Sequence, residues 1–404
     1  MPTGFYSSAV LYPLLGLLPS DPALHYNCRL AFSSAVFCPL SSDSYMKNSL
    51  CARLGITHPI IQAPMASVTT PALVAAVSNA GALGSFGALM LTPRGIVEQT
   101  AAIRALTEKP FNLNLFVLDP ARVDEAQIAR VLQLLAPIHA ELGIAPPKAP
   151  GSYGQPLPEQ LDALIEAKPH VASFHIGLLD AQAVARLKRA GIFVIGTATN
   201  VAEAKAWEAN GADAVCAQGS EAGGHRGTFL TDVPSSMIGT MALIPQVVDA
   251  VNIPVIAAGG IMDGRGIAAA LALGAQGAQL GTAFVACAES SAAPVWRQAL
   301  RAAGDTATTL TKAFTGRHAR GIANEFMRRM AEHEHDLPPY AVHSALTGEI
   351  RRAAASAGRG DFLAMWAGQG VGLARARAEN LSAAQLVAAL VEETKSALTS
   401  AAPD

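Results

Sequence analysis

Two histidines in this sequence follow buried, strand-like segments, at positions from which an imidazole can act on a bound molecule. His225 lies between Gly223-Gly224 and Arg226-Gly227. His175 ends the apolar segment that begins at Val171. Because free imidazole titrates at about pH 6.5, either side chain can take up a proton or stabilise an anion. We therefore expect His225 to be catalytic, with His175 as a second candidate; a purely structural hydrogen bond is the alternative for each.

Glycines follow two other apolar segments of the chain. Val255-Ile256-Ala257-Ala258 leads into Gly259-Gly260, and the segment from Ala278 continues as Gln279-Leu280-Gly281-Thr282. Backbone without a Cβ lets a ligand approach closely, and its free N–H groups suit an anion. Two such turns on neighbouring strands resemble the phosphate site that (β/α)8 barrels form after their last two strands. We expect a phosphate site here; two tight turns with nothing bound are the alternative.

Amide side chains and an apolar stretch extend this pattern. Asn112 and Asn114 are two residues apart in an apolar strand-like segment, so both point to one face, where unpartnered amides would be costly. Gln218 can donate and accept hydrogen bonds at the edge of a heterocycle, and Gly223 and Gly224 allow close backbone approach. Met65, in a rigid Pro-containing stretch, can lie against a planar ring. With the phosphate glycines, these residues predict a flavin mononucleotide (FMN) site, while a core network remains the alternative for the two asparagines.

Other ligand classes lack their sequence signatures. There is no Gly-x-Gly-x-x-Gly after the first strand, no Walker loop and no zinc-ligand spacing, so no metal is expected. A formal net charge of −2 with 15% charged residues gives no basic surface for nucleic acid or an anionic membrane, and no segment is long enough to span a bilayer. The cysteines lack CxxC spacing, which predicts reduced thiols and a cytoplasmic protein. They are Cys28, Cys38, Cys51, Cys216 and Cys287.

The apolar periodicity indicates which elements position these residues. Short buried-strand patterns alternate with helical ones from residue 60 onward. The strand patterns are 60–63, 82–86, 111–116, 171–175, 193–197, 214–217, 255–258 and 278–284. Helical patterns such as 71–79, 123–135, 181–190, 201–210 and 264–273 lie between them, several ending near Gly81, Gly191, Gly211 or Gly274. Because eight βα units close a barrel, we predict an α/β fold of the (β/α)8 TIM-barrel type.

The flanking segments differ from the barrel pattern. Residues 1–45 contribute no part of it and are predicted to be a poorly ordered extension, or a translated leader before a start at Met46; a cleaved targeting peptide is the minority alternative. We predict an FMN-binding barrel at 46–288 and a helical segment without strands at 289–404 that packs on the barrel and partly caps it. The Pro- and Gly-rich stretch 146–158 is predicted to lie near the barrel mouth. Ser382-x-x-Gln385 predicts a capping box that opens a final helix.

Taken together, the motifs resemble those of the nitronate monooxygenase family, formerly called 2-nitropropane dioxygenases. The matching segments occur in order over roughly residues 50–390. They are Gln62-Ala63-Pro64-Met65, Val68-Thr69-Thr70-Pro71, Ser78-Asn79-Ala80-Gly81, Asn112-Leu113-Asn114-Leu115-Phe116, Ser173-Phe174-His175, the run from Ala217 to Gly227, Ala257-Ala258-Gly259-Gly260-Ile261, Asp263-Gly264-Arg265-Gly266 and the run from Gln279 to Phe284. Leu337-Pro338-Pro339-Tyr340 and Trp366-Ala367-Gly368-Gln369-Gly370 also look family-like.

The resemblance implies an FMN-containing barrel that oxidises alkyl nitronates with O2 to a carbonyl compound and nitrite. It assigns the active-site histidine to His225, a second pocket histidine to His175 and a pocket-lining side chain to Tyr340. The partners it implies are a small nitronate or nitroalkane and O2, in a monomer or homodimer. Carried over by motif, the FMN contacts fall on Met65, Asn114, Gln218, Gly223, Gly260 and the run Gln279-Leu280-Gly281-Thr282.

The sequence departs from the family pattern in two segments, and two rival functions fit the same residues. Ser67 stands where a glycine is expected, and Ile176 with Leu178-Leu179 replaces the usual Phe-Gly-Leu-Pro. These changes affect the shape of the pocket more than the binding of flavin. The first rival is an FMN-dependent NAD(P)H:quinone or enoyl-thioester reductase on the same fold. The second is a flavin-binding protein without catalytic activity.

Overall fold

The computed structural model of the 404-residue chain describes residues 46–120, 122–377 and 380–400. The predictions for residues 1–45 lie outside this part of the chain. The described strands are β1 (Ile60–Gln62), β2 (Gly84–Gly87), β3 (Phe111–Phe116), β4 (Val171–His175), β5 (Phe193–Ala198), β6 (Ala214–Gln218), β7 (Gly224–His225), β8 (Val255–Ala258), β9 (Gly277–Leu280), β10 (Thr308–Thr311) and β11 (Ala319–Ile322).

Helices alternate with the strands and continue after them. The α-helices are Ser49–Leu54, Pro71–Asn79, Pro93–Arg104, Glu125–Glu141, Leu157–Ala167, Ala181–Arg189, Val201–Ala209, Thr240–Val248, Gly264–Ala272, Thr282–Val285, Pro294–Ala302, Glu325–Met330, Val342–Leu346, Gly348–Ser356 and Ala383–Ser400. Single-turn or irregular 3-10 segments occur at Pro234–Ser236, Ala331–His333, Gly360–Phe362 and Gln369–Ala376. None of the helices in the described residues combines the length and apolar character needed to cross a bilayer.

Eight strands form one parallel sheet that closes into a barrel. Their order is β1-β9-β8-β6-β5-β4-β3-β2, and each neighbouring pair is parallel. A parallel bridge between Ile61 and Leu83 joins the two ends of the sheet. Most strand residues are buried, as the continuous apolar segments in the sequence require for a sheet covered on its outer face by helices. The predicted TIM barrel is therefore confirmed.

Local sequence signals explain where the helices begin and end. Thr70 and Thr92 cap helices that start with proline, each hydroxyl accepting a backbone N–H from the first turn. Asp263 accepts the N–H groups of Arg265 and Gly266 at the start of the helix Gly264–Ala272. The predicted stop glycines all have positive φ, a conformation that glycine adopts at little cost. Their φ values are 86° for Gly81, 81° for Gly191, 89° for Gly211 and 94° for Gly274.

Two predictions about strands were wrong. The eighth predicted strand, 278–284, ends at Leu280, and Thr282–Val285 forms a short helix, because an apolar run alone does not distinguish a strand from a buried helical turn. The segment after residue 288 is not free of strands either. β10 and β11 pair with each other and with β7 in an antiparallel three-stranded sheet. These strands are four residues each and contain polar side chains, so they lack an apolar sequence signal.

The final helix packs its apolar face into the barrel's own core. Ser382 and Gln385 form the predicted capping box, with each side chain accepting the other residue's backbone N–H. Leu386, Val387, Leu390 and Val391 are buried in the same cluster as Ile267 and Leu271 of the helix Gly264–Ala272. Gly264 makes this contact possible, since a Cβ there would lie 2.3 Å from the Thr394 backbone nitrogen.

Replacing Gly264 with alanine should destabilise the protein. The added methyl group meets the backbone of Glu393 and Thr394, which cannot rotate away, so the final helix must shift. Overpacking of this kind costs roughly 1–3 kcal/mol of unfolding free energy, measurable by urea denaturation. Gly151→Ala is the matched control, because a Cβ there has no heavy atom within 4 Å. Equal stability of the two variants would show that the final helix does not depend on this contact.

Candidate functional site

A cavity of about 300 Å³ opens at the carboxyl ends of the barrel strands, the end at which TIM-barrel active sites form. Each of the eight barrel strands, or the loop directly after it, contributes to its wall. With the exceptions of Asn112 and Leu280, every site residue predicted from the sequence lines it. Those residues are Met65, Asn114, His175, Gln218, Gly223, Gly224, His225, Gly259, Gly260, Gln279, Gly281, Thr282 and Tyr340.

His225 is held by strand pairing and by a hydroxyl group. As part of β7 it pairs with Ala319 of β11. Its Nε2 lies 3.0 Å from Thr315 Oγ1, and that hydroxyl donates its only proton to the Arg317 carbonyl oxygen at 3.1 Å. With that proton on the Arg317 side, we assign the ring proton of His225 to Nε2, which donates to Thr315. The lone pair of the imidazole is then on Nδ1, which is the nitrogen able to accept a proton.

His175 supports the backbone of His225. Its Nε2 donates to the His225 carbonyl oxygen at 3.1 Å, so its lone pair is also on Nδ1. The ring packs against Phe116, with centroids 5.3 Å apart, and next to Gly227, where a Cβ would lie 2.6 Å from the imidazole Cε1. The two histidines are thus brought together, with His175 positioned to orient the segment that carries His225.

Both imidazoles are neutral at pH 7, and neither keeps the pKa of free histidine that the sequence suggests. Burial lowers the pKa of His225 to about 3, with added repulsion from His175, Arg317 and Arg351. Burial lowers the pKa of His175 to about 4, partly opposed by its hydrogen bond to the His225 backbone. Each ring is therefore present in the form that can accept a proton.

Gln218 contacts the loop of His225. Its Nε2 donates to the His225 carbonyl oxygen at 3.0 Å, and its Oε1 accepts the Gly227 N–H at 2.8 Å. Arg226, which is buried, donates to the Gln218 and Ser236 carbonyl oxygens. The Gln218 amide, which the sequence predicts to contact the edge of a heterocycle, therefore also fixes the loop that carries His225. One of its two N–H bonds remains for a ligand.

Glu203 anchors the continuation of that loop and was not identified from the sequence. It is fully buried and accepts hydrogen bonds from the N–H groups of Thr199 (2.7 Å), Phe229 (2.6 Å) and Leu230 (3.0 Å), and from the Thr228 hydroxyl (2.8 Å). Burial alone would raise the pKa of this carboxyl group, but these hydrogen bonds lower it. Glu203 is therefore ionised and holds residues 228–230 in place.

Asn112 and Asn114 do share a face and find a common partner. Their Nδ2 groups lie 2.9 Å and 3.0 Å from Ser173 Oγ on the neighbouring strand β4. Asn114 also donates to the Ser173 carbonyl oxygen at 3.1 Å and lines the cavity. Asn112 lies deeper, and its Oδ1 is buried with no hydrogen-bond partner in the described part of the chain. The deeper asparagine therefore belongs to the barrel core, and Asn114 presents its amide to the cavity.

The two glycine turns form a backbone cradle in the cavity wall that is open on the side of Gly281, since a Cβ at Gly259 would lie 2.8 Å from Thr240 Oγ1 and one at Gly260 would lie 3.2 Å from Glu221 Cβ. Gly259 and Gly260 have φ values of 121° and 71°, which favour glycine. The backbone N–H groups of Gly260 and Gly281 have no acceptor in the part of the chain that the structure describes. A Cβ at Gly281 would lie 3.6 Å from Ala63 Cβ and 3.9 Å from Met65 Sδ, in space that the cavity occupies. Unpaired N–H groups beside open space fit a phosphate.

Two residues predicted to contact the cofactor, Gly223 and Leu280, have surroundings that differ from the prediction. Gly223 does allow close approach, but the approaching group is protein: a Cβ there would lie 2.6 Å from the Ala367 carbonyl carbon and the Gly368 nitrogen. Leu280 does not line the cavity. Its side chain is fully buried in the core, and its carbonyl oxygen accepts the Ala63 N–H at 2.8 Å.

One part of the cavity wall is an aromatic chamber formed by His225, Phe116, Tyr340 and Trp366. The His225 ring centroid lies 5.6 Å from Phe116, 5.2 Å from Tyr340 and 5.8 Å from Trp366. Burial raises the pKa of Tyr340 to about 12, so its phenol stays protonated. Arg351 adds a cation to the same wall. A small planar or anionic molecule suits this chamber.

Sequence reasoning missed Thr315 and Arg351 and singled out Trp366 only as part of a family-like segment. Thr315 lies in a turn between two strands that were not predicted. Arg351 is followed by Arg352 in a helix, and nothing in the sequence distinguishes the arginine that lines the cavity from the exposed one. Within the described residues, no group of three or more His, Cys, Asp or Glu side chains is placed to hold a metal ion.

Comparisons with known proteins identify the family of the chain. The family model described as nitronate monooxygenase matches residues 47–393. A nitronate monooxygenase of Paraburkholderia phytofirmans is 47% identical over 361 residues, covering 88% of this chain and 98% of that protein. The crystal structure of nitroalkane oxidase from Streptomyces ansochromogenes is similar with a TM-score of 0.80 and 40% identity, covering 88% and 100% of the two chains. FabK from Thermotoga maritima is similar with a TM-score of 0.69 and 31% identity, covering 88% and 98%.

The lowered histidine pKa values predict a loss of stability in mild acid. In the unfolded chain these imidazoles take up protons near pH 6.5, whereas in the folded protein His175 does so near pH 4 and His225 near pH 3. Between these values the unfolded state binds more protons, so the free energy of unfolding falls as the pH falls from about 6.5. Urea denaturation from pH 7.5 to pH 5 should show a smaller fall for His225→Asn than for the unmodified protein.

The exposed His333 provides the control for this measurement. His333→Asn should leave the pH dependence unchanged. If His225→Asn and the unmodified protein lose stability in parallel between pH 7 and pH 5, the pKa of His225 is not depressed by folding.

Proposed function

Because the chain belongs to the nitronate monooxygenase family, we propose that it is an FMN-dependent enzyme that oxidises alkyl nitronates, and neutral nitroalkanes more slowly, with O2 to a carbonyl compound and nitrite. The observation that carries the proposal is the convergence in one cavity of a neutral histidine, an aromatic chamber and a cradle of unpaired N–H groups. The buried free thiols of Cys51, Cys216 and Cys287 support a reducing, cytoplasmic location.

The wall of the cavity offers a matching group for each part of FMN. Gly260, Gly281 and Thr282 would hold the phosphate through the cradle. Asn114 and the remaining N–H of Gln218 would contact the polar edge of the ring, and Met65 would lie against its face. When bound, FMN supplies the electron acceptor for substrate oxidation and the centre for reaction with O2.

The protein's own groups handle the substrate and its proton. A nitronate is already deprotonated, so the site has only to bind and orient it and to exclude water. A neutral nitroalkane must lose a C–H proton, and Nδ1 of His225, a residue that lines the cavity, would receive it while Thr315 fixes Nε2. His175 and Gln218 hold the backbone of His225 through its carbonyl oxygen. Tyr340 and Trp366 close the chamber around the reacting end of the substrate.

The cofactor and the reaction can be tested on the purified protein. Denaturation should release FMN and not FAD, identified by chromatography. In anaerobic stopped-flow mixing, a primary alkyl nitronate should bleach the flavin absorbance much faster than NADH or NADPH does. Rapid bleaching by reduced nicotinamide would instead favour the quinone or enoyl-thioester reductase. FMN binding without bleaching by either would indicate a non-catalytic flavoprotein, and protein that binds no flavin would end the proposal.

The proposed role of His225 predicts a substrate-dependent effect of His225→Asn. General-base catalysis typically contributes about 10²–10⁴-fold, so kcat/KM for a neutral nitroalkane should fall by about that factor. The loss with the corresponding nitronate should be clearly smaller, because no proton has to be removed. Flavin content should be unchanged, since the phosphate cradle is formed by other residues. Equal losses on both substrates would mean that His225 serves binding, and this pattern in His175→Asn alone would assign the base to His175.

A further inference from the structure

Arg351 is a cation in the cavity wall whose hydrogen-bonding groups are only partly used. It lies in the helix Gly348–Ser356 and lines the cavity together with Tyr340 and Ser344. Its Nη2 donates to the Ser344 carbonyl oxygen at 2.5 Å and lies 3.2 Å from Ser344 Oγ. Its Nε is buried and has no hydrogen-bond partner among the residues that the structure describes. Nη1 also makes no hydrogen bond with the described residues, but it is not among the fully buried atoms.

No carboxylate pairs with Arg351 within the part of the chain that the structure describes. The titratable and charged groups that interact with its guanidinium are Tyr340, Arg352, His225 and His343. Tyr340 is protonated and both imidazoles are neutral, so none of the four supplies a negative charge. The other cations around this site differ: Glu203 lies near Arg226 and Arg317, and Glu221 lies near Arg320. A charge removed from water is costly unless it is paired, so Arg351 lacks a counterion that a ligand can supply.

The position of Arg351 separates it from the phosphate cradle. Gly281 faces Ala63 and Met65, beside the ends of β1 and β9. Arg351 instead belongs to the chamber of His225 and Tyr340, and its charge contributes to the lowered pKa of His225. An anion held by Arg351 would therefore lie on the histidine side of the cavity, where the reacting end of a substrate must be.

We propose that Arg351 is the specificity-determining residue for anionic substrate: its guanidinium binds the oxygen atoms of the nitronate group and so favours nitronates over neutral nitroalkanes. The inference rests on the proposed function and names the group that selects its substrate class. A guanidinium is planar and presents several N–H donors to a planar oxyanion, which an ammonium group does not match. Ser344, through its carbonyl oxygen, holds Nη2 and leaves Nη1 available for the substrate.

The test compares Arg351→Met and Arg351→Lys with Arg352→Met in the FMN-loaded protein. Arg352 is the matched control because it is adjacent in the same helix but its side chain is 72% exposed. Inorganic nitrate, a planar oxyanion that is not oxidised, serves as the probe, with its Kd measured by calorimetry. KM is then measured for one primary nitronate and for the corresponding neutral nitroalkane.

Because Arg351→Met removes charged hydrogen bonds, it should raise the Kd for nitrate and the KM for nitronate by about 10- to 100-fold. The KM for the neutral nitroalkane should change much less, Arg351→Lys should be intermediate, and Arg352→Met should behave like the unmodified protein. If Arg351→Met does not fold, Arg351→Lys decides the matter by a severalfold weaker nitrate Kd at a similar melting temperature. The inference would be overturned if Arg351→Met left the Kd for nitrate and the KM for nitronate unchanged. It would also be overturned if the KM rose by the same factor for the nitronate and for the neutral nitroalkane.

The nitrate measurement separates this inference from the proposed function because it needs no turnover. Nitrate binding that depends on Arg351, in a protein that does not oxidise nitronates, would refute the proposed function and leave an anion site. Turnover of nitronates with no dependence on Arg351 would refute only the role of this arginine. An unmodified protein that does not bind nitrate at all would also overturn the inference.

Discussion

The antiparallel pairing of β7 with β11 is the interaction on which the site depends. Gly224 and His225 follow the end of a barrel strand, and they pair with Arg320 and Ala319 of β11. The Arg226 N–H continues the ladder by donating to the His318 carbonyl oxygen at 2.9 Å. The barrel residues His175 and Gln218 hold the His225 carbonyl oxygen, and the pairing with β11 adds the second support of the loop after β6.

The same hairpin also sets which nitrogen of His225 carries a proton. Thr315 lies in the turn between β10 and β11, so the strand pairing that places the ring also places the hydroxyl that accepts from its Nε2. In the proposed reaction, transfer of a C–H proton to Nδ1 creates an imidazolium cation and a nitronate anion. Arg351 opposes protonation of the empty site but stabilises the nitronate that forms at the same moment. In this proposal Arg351 stabilises the transition state of proton transfer, where the nitronate charge develops, more than it stabilises the bound neutral substrate. Such a difference lowers the barrier of the reaction.

The elements that could be predicted from the sequence are those whose stabilising interactions lie between residues close together in the chain. The barrel strands are buried on both faces, so their apolar runs and terminal glycines are visible in the sequence, and caps such as Asp263 or Ser382 act on residues two or three positions away. β10 and β11 gain their order from each other and from β7, and no local pattern marks them. Arg351 and Arg352 are the same residue type, and only the packing of the whole segment decides which one is buried.

Ser67 shows how a departure from a family pattern becomes intelligible in the structure. Its φ is 66°, in the region that favours glycine, which explains why a glycine is expected there. Such a conformation persists only when the surroundings fix it. Ser291 does so from the C-terminal segment, with its hydroxyl 3.1 Å from the carbonyl oxygens of Ser67 and Val68. The turn that presents Met65 to the cavity is thus held, like His225, by residues beyond the barrel. The barrel supplies the strand ends, and the chain after it decides how the groups at those ends are aimed.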